Sequence, residues 1–486
     1  MEILFVSTEL APFVKVGGLA DVAAVLPKAL RALGHKVTLV LPRFLELESG
    51  GLLVARRLTP LRFQLGERAW EVTVFDGRLA SGVDLVLVDA PGLYDRAAVY
   101  GERGEDYADN HVRFAVLSRA AAELAKQRAQ AGAPFDVVHA NDWPTALVPT
   151  YLEDLVRGGA PELAATKSVL TVHNVAHQGI FPKEALAEVG LAWDRFTVDG
   201  AEFYGKVNLL KQGILSARAV TTVSPTYARE IQTAEHGHKL DGVLRARGDQ
   251  LLGITNGVDY AVWNPATDPA LAARYDAEDT AGKTRCKGAL LREVGLPLDT
   301  DAPLLAYVGR MVAQKGIDVL VAAIPKILRA TEASIVLVGD GDPELVEKAE
   351  RAAAKSHGRA VYAGAASEPV AHRVFAAADL VCVPSRYEPC GLVQLYAQRY
   401  GALPVARATG GLVDTVVDCD VDLETGTGFL FEHDTADDLL AAVERGVAAR
   451  AHPAWTGLRR RVMRLDRGWE RPARRYDQLY RSLAAG

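Results

Sequence analysis

The 486-residue chain is 49% hydrophobic, 24% charged and 7% aromatic, a globular composition that excludes fibrous repeats and long-range disorder. A single core stops growing near ~250–300 residues, so two domains of similar size are predicted. Its formal net charge of -6 gives no bulk attraction to nucleic acid or anionic membrane, and the four cysteines form no C-x-x-C pair, which argues against a disulfide framework or a structural zinc.

In chain order, the N-terminal run Met1–Val6 turns polar after a few apolar residues, unlike a secretory leader. No stretch reaches the ~20 apolar residues of a membrane span, so a cytoplasmic location is expected. Short apolar runs at Ile3–Val6, Val37–Leu41, Leu85–Val88, Val137–His139, Val169–Val172 and Val220–Val223 read as buried strands, with helical patterns at Leu19–Leu33 and His111–Arg128. This alternation predicts a parallel sheet covered on both faces. After the turn signal in Gly253–Asp259 the rhythm restarts at Leu304–Val308, Ile335–Val338, Leu380–Val383 and Pro404–Ala406. A second doubly wound sheet follows, with ligands expected just beyond the carboxyl ends of the strands.

Three loops at such ends carry chemistry. After the first strand, Lys15-Val16-Gly17-Gly18-Leu19 combines a cation with glycines whose amides open a helix toward an anion, although an ordinary strand-to-helix turn has the same look. Gly309-Arg310 through Lys315-Gly316 places two cations where a leaving diphosphate gains charge, against the alternative of a solvated loop. Pro384 to Leu392 sets Glu388 before a helix, where its carboxylate accepts from sugar hydroxyls or caps the helix, and where the amides of Cys390, Gly391 and Leu392 face the same ligand.

These motifs, together with His173-Asn174-Val175-Ala176-His177-Gln178-Gly179 and Asn256-Gly257-Val258-Asp259, resemble in order and spacing the signatures of the bacterial glycogen synthase and plant starch synthase family. The resemblance runs nearly end to end. It implies an α/β chain with two Rossmann-like doubly wound domains facing a cleft, the GT-B arrangement: residues 1–255 on the acceptor side, 256–468 binding the nucleotide sugar, and a last helix in 469–486 returning to the first domain.

It further implies a retaining glucosyltransferase that extends the non-reducing end of an α-1,4-glucan from ADP-glucose, needing no cofactor and no metal. Glu388, His173, Arg310 and Lys315 are then the catalytic set. Lys15, Gly17, Gly18, Cys390, Gly391 and Leu392 bind donor, and Tyr100, Asp142, Trp143, Asn174 and Asn256 line the acceptor side. No carboxylate pair of the glycosidase kind emerges, so the leaving phosphate is expected to help deprotonate the incoming hydroxyl.

Three features depart from or compete with this pattern. Asp340-Gly341-Asp342 has the look of a D-x-D metal site, but Asp342-Pro343 also fits a helix N-cap followed by proline. Related synthases carry an aromatic near Ala365, in the turn Gly364-Ala365-Ala366, and alanine here leaves base choice open to UDP-glucose. Tyr396 stands where many retaining transferases of this fold have a second glutamate. The rival readings are a UDP-glucose transferase of the same fold, a silent glucan-binding protein and, without the G-x-G-x-x-G fingerprint, an NAD-dependent oxidoreductase. The pair His236 and His238 reads as a polar loop rather than a metal site.

Overall fold

The computed structural model describes residues 1–102, 104–365 and 367–485; Ala366 of the Gly364–Ala366 turn, Arg103 and Gly486 lie outside them. By contacts the chain divides into two units. One comprises Met1–Val223, Ala228–Ile254 and the stretch from Trp469 onward; the other comprises Ser224–Tyr227 and Thr255–Gly468.

The first unit is built on a ten-stranded sheet. Seven strands run parallel in the order Leu251–Gly253, Ala219–Thr222, Lys167–Val172, Val137–Asn141, Glu2–Val6, Lys36–Pro42 and Asp84–Asp89. The expected wholly parallel sheet is corrected at one edge. Arg68–Arg78 pairs antiparallel with Asp84–Asp89, and Val54–Arg56 and Leu61–Leu65 pair antiparallel with Arg68–Arg78. Leu61–Leu65 alternates buried and exposed residues, the mark of a strand with one solvated face.

The second unit holds a six-stranded, wholly parallel sheet in the order Ala360–Tyr362, Ser334–Val338, Leu304–Val308, Leu380–Val383, Leu403–Arg407 and Phe429–Phe431. Alternate residues supply two cores. Leu305, Tyr307, Ile335 and Leu337 enter one, while Leu304, Ala306, Val336 and Val338 enter the other. Each large aliphatic side chain so buried contributes about 1.5–3 kcal/mol, so both faces are covered as a parallel sheet requires.

The strand order fixes where ligands can bind. In the first unit the chain starts at Glu2–Val6 and builds outward to Lys36–Pro42 on one side and later to Val137–Asn141 on the other. In the second it starts at Leu304–Val308, with Ser334–Val338 on one side and Leu380–Val383 on the other. The loops leaving such a pair diverge and open a crevice at their carboxyl ends.

The last helix, Glu470–Ala485, buries Ala473, Tyr476, Leu479 and Tyr480 and packs against helix Gly18–Ala32. Tyr480 Oη meets His139 Nδ1 at 2.6 Å, and Asp477 Oδ1 meets His35 Nε2 at 2.8 Å. No helix among the described residues is long and apolar enough to cross a membrane.

Candidate active site

In the second unit, the two loops at the strand-order reversal are laced together. Gly316, at φ +65°, lies so close to the Pro384 carbonyl that a Cβ there would sit 1.9 Å from its oxygen, so the position takes glycine alone. Arg386 donates to both carboxylate oxygens of Asp318 at 2.8 Å. This apposition brings Lys315 Nζ to 2.6 Å from Glu388 Oε2, which also accepts from Ser385 Oγ at 2.9 Å. Glu388 is buried.

Glu388 therefore does not cap the following helix, Val393–Arg399, which has no side-chain cap. Among the described residues no donor bonds its second oxygen, Oε1, which is left for another donor. The backbone carbonyl of Glu388 accepts from Gly411 N–H at 2.9 Å, so the Gly410–Gly411 turn is seated on the same loop. Gly391 adopts φ +73°. Cys390 is buried and its thiol is pushed up to about 12 by desolvation; it stays protonated, and Asn256 N–H lies within hydrogen-bonding reach of its sulfur. Asn256 Oδ1 is buried without a partner among the described residues, a cost of about 1–3 kcal/mol unless something donates to it.

Arg310 is exposed, and among the described residues its guanidinium makes no ion pair or hydrogen bond. Leu392 lies partly exposed at the start of the helix. Tyr396 is buried and stacks on Trp263 with ring centroids 3.8 Å apart, which makes it a packing residue. Asp342 accepts from Glu344 N–H at 2.9 Å as the N-cap of helix Pro343–Ala354. Among the described residues no group of three or more His, Cys, Asp or Glu is placed to hold a metal.

In the first unit, the loops after Glu2–Val6 and Val137–Asn141 carry the chemistry. Glu9 is buried just past the first strand. Its Oε2 accepts from Val16 N–H at 2.9 Å and Gly17 N–H at 2.8 Å, while its Oε1 accepts from Tyr100 Oη at 2.9 Å. Desolvation raises the Glu9 carboxyl despite these donors. The Gly17 amide, expected to face an anion, is thus engaged within the protein. Lys15 and Gly18 are exposed, and Lys15 Nζ pairs with Asp21 Oδ1 at 2.8 Å.

Asp142 adopts φ +57°, a left-handed conformation that Asp tolerates better than most residues. There its Oδ1 accepts from His173 N–H at 2.6 Å and from Asn174 N–H at 3.4 Å. Desolvation pushes its carboxyl up to about 7. Asn141 donates Nδ2–H to the Val6 carbonyl at 3.0 Å and turns its Oδ1 toward His173 Nε2 at 2.9 Å. His173 Nε2 must then be the donor, leaving Nδ1 as the acceptor. Burial lowers the imidazole to about 3, so the ring is neutral. Asn174 Oδ1 accepts from Ala176 N–H at 3.1 Å.

Trp143 sits edge-on to Phe114 at 5.1 Å and 6.5 Å from Tyr100. A Cβ at Gly179 would meet its ring at 2.4 Å, so one side of the indole packs against backbone. The structure groups Lys315 with Glu388, Cys390 with Asn256, and Asp142 with His173 and Asn174. Asn141, which orients His173, Ser385, which donates to Glu388, and Glu9, which holds the Val16 and Gly17 amides and Tyr100, escaped sequence reading, because nothing in their spacing distinguishes them from ordinary polar residues after strands.

Residues 2–246 match the family model described as starch synthase catalytic domain, and residues 302–448 match glycosyl transferases group 1. A glycogen synthase from Anaeromyxobacter sp. (strain Fw109-5) is 46% identical over 488 residues, covering 100% of both chains. The catalytic domain of starch synthase IV from Arabidopsis thaliana, solved bound to ADP and acarbose, superposes with a TM-score of 0.89 at 32% identity, covering 100% of this chain and 99% of that one. A sucrose-phosphate synthase from Thermosynechococcus elongatus, with TM-score 0.60 and 20% identity over 100% and 99% of the two chains, shares the fold alone. The two Rossmann-like units and the glycosyltransferase matches define a glycosyltransferase of the GT-B fold class. Within that class the chain belongs to the glycogen and starch synthase family.

Proposed function

We propose that the chain transfers glucose from ADP-glucose to the non-reducing end of an α-1,4-glucan with retention of configuration. The observation that carries this reading is the Lys315–Glu388 pair at the strand-order reversal of the second unit. It presents a cation suited to a diphosphate and a carboxylate whose free oxygen suits sugar hydroxyls. The ADP and acarbose bound by the Arabidopsis starch synthase support the same substrate classes.

In this reading Arg310 and Lys315 meet the diphosphate, with Lys15 near its sugar end, and stabilise the charge that builds as the glycosidic bond breaks. Glu388 Oε1 accepts from the glucosyl hydroxyls. The neutral His173, fixed by Asn141 and Asp142, positions the reacting sugar, and the glucan approaches Tyr100, Trp143, Asn174 and Asn256. The leaving phosphate oxygen takes the proton of the incoming 4-hydroxyl, which attacks from the same face.

Transfer of labelled glucose from ADP-glucose and UDP-glucose onto glycogen, in the presence of EDTA, tests the proposal. Preference for ADP-glucose with loss in Glu388→Ala supports it. Ala365 is small and exposed and offers no ring to a base, so preference for UDP-glucose would overturn the donor assignment. Absence of transfer by folded protein would overturn the activity.

A further inference from the structure

Six non-glycine residues are described at positive φ, and three of them, Tyr204 (+51°), His238 (+48°) and Lys239 (+68°), meet at one place on the first unit. Strands Glu202–Phe203 and Lys206–Asn208 pair Phe203 with Lys206, so Tyr204-Gly205 is a two-residue hairpin loop. Both residues have positive φ, +51° and +77°, as a type I′ turn requires. Such a turn takes Asn-Gly by preference, and a tyrosine in its first position is strained.

The strain brings little burial. Tyr204 is 72% exposed. Its ring meets Phe203 edge-on at 4.9 Å, and Lys239 Nζ lies 4.7 Å from its centroid. Lys239 in turn holds the left-handed conformation next to His238, whose carbonyl accepts from Gln178 Nε2 at 3.0 Å. Gln178 Oε1 accepts from Asn208 Nδ2 at 2.6 Å. One buried glutamine therefore ties together the hairpin, the His238–Lys239 loop and the segment that runs from His173 to the glycine packed on Trp143.

We infer that Tyr204 and Lys239 form an α-glucan-binding platform, a site distinct from the reacting groups and continuous with the segment that carries His173. The exposed tyrosine offers the ring face away from Lys239 to the C–H groups of a sugar ring, and the neighbouring ammonium donates to hydroxyls at the ring's rim. The polymer is the occupant because its chain extends beyond the sugar that reacts, and because the platform is wired through Gln178 to the candidate acceptor side. Local conformational strain retained at an exposed ring is the pattern of a functional position.

The inference rests on the proposed glucan acceptor, and its test does not need turnover. Glycogen binding is read by retardation in native gels containing glycogen, without donor, beside thermal melting of the same proteins. Tyr204→Asn and Lys239→Gly each relieve the left-handed strain. Both variants should melt at or above the wild-type temperature while binding glycogen roughly five- to tenfold more weakly. Unchanged retardation in both variants, or a lower melting temperature that makes the tyrosine a structural residue, would overturn the platform. Wild-type retardation without transfer from any sugar nucleotide would instead sink the proposed activity and leave the platform standing.

Discussion

Lys315 and Glu388, 73 residues apart in sequence, meet at 2.6 Å because the two loops at the strand-order reversal of the second unit press together at Gly316 and Pro384. The carboxylate is 6% exposed and the lysine 24%, so the pair is shielded from full solvent screening. A double-mutant cycle with Lys315→Met and Glu388→Gln should give a coupling energy of about 1–3 kcal/mol by denaturant unfolding. Independent effects would show that the contact is not energetically formed.

Replacing Arg310 should separate the proposed catalysis from stability. The residue is exposed and its guanidinium makes no bond among the described residues, so Arg310→Ala should change unfolding free energy by less than about 0.5 kcal/mol. Turnover should fall about 100-fold or more, as for loss of a donor that stabilises developing charge. Initial rates with saturating donor, measured beside urea unfolding, check both halves.

Titration of the first unit has two opposed parts. His139 and His173 are lowered to about 3 by burial, so their contribution is complete above pH ~6.5 and lost as pH falls toward 3, where only the unfolded chain readily takes up the protons. Asp142, raised to about 7, has the opposite sign: its contribution is complete below pH ~3.9 and lost as pH rises through 7. Asp142→Asn keeps an acceptor for His173 N–H and tolerates the left-handed backbone. Its stability relative to wild type should therefore rise by roughly 2–3 kcal/mol between pH 5 and pH 8. A constant difference across that range would contradict the desolvated carboxyl.

Asp414 holds a stretch of chain assigned to the second unit yet flanked on both sides by the first. It accepts from Ser224 Oγ, at 2.5 Å, and from Thr226 N–H and Oγ1, at 2.9 and 2.7 Å. Asp414→Ala should cost about 2–3 kcal/mol through these lost partners, and limited proteolysis near Ser224–Tyr227 should speed up. An unchanged cleavage pattern would remove Asp414 from that role.

The parallel strands were legible because burial on both faces leaves continuous apolar runs, such as Leu304–Val308 and Leu380–Val383. The antiparallel edge was not, since Leu61–Leu65 has one wet face and its apolar residues are diluted by alternation. Glu388 and Lys315 were each visible as charges after strands, but their contact depends on a loop apposition that only glycine at 316 permits. Glu9 was invisible for a related reason: its importance lies in the amides of Val16 and Gly17 and the hydroxyl of Tyr100, partners that only folding brings to it.

The first unit completes its core with the last described helix, through Tyr480 on His139 and Asp477 on His35. During synthesis the contacts of these histidines with Tyr480 and Asp477 therefore wait until the whole of residues 255–468 has been made. The early part of the chain leaves the ribosome with an unfilled seam, and strict domain-by-domain folding, the usual order for chains of this size, is closed to it. A helix that follows the second unit in sequence thereby closes the core of the first.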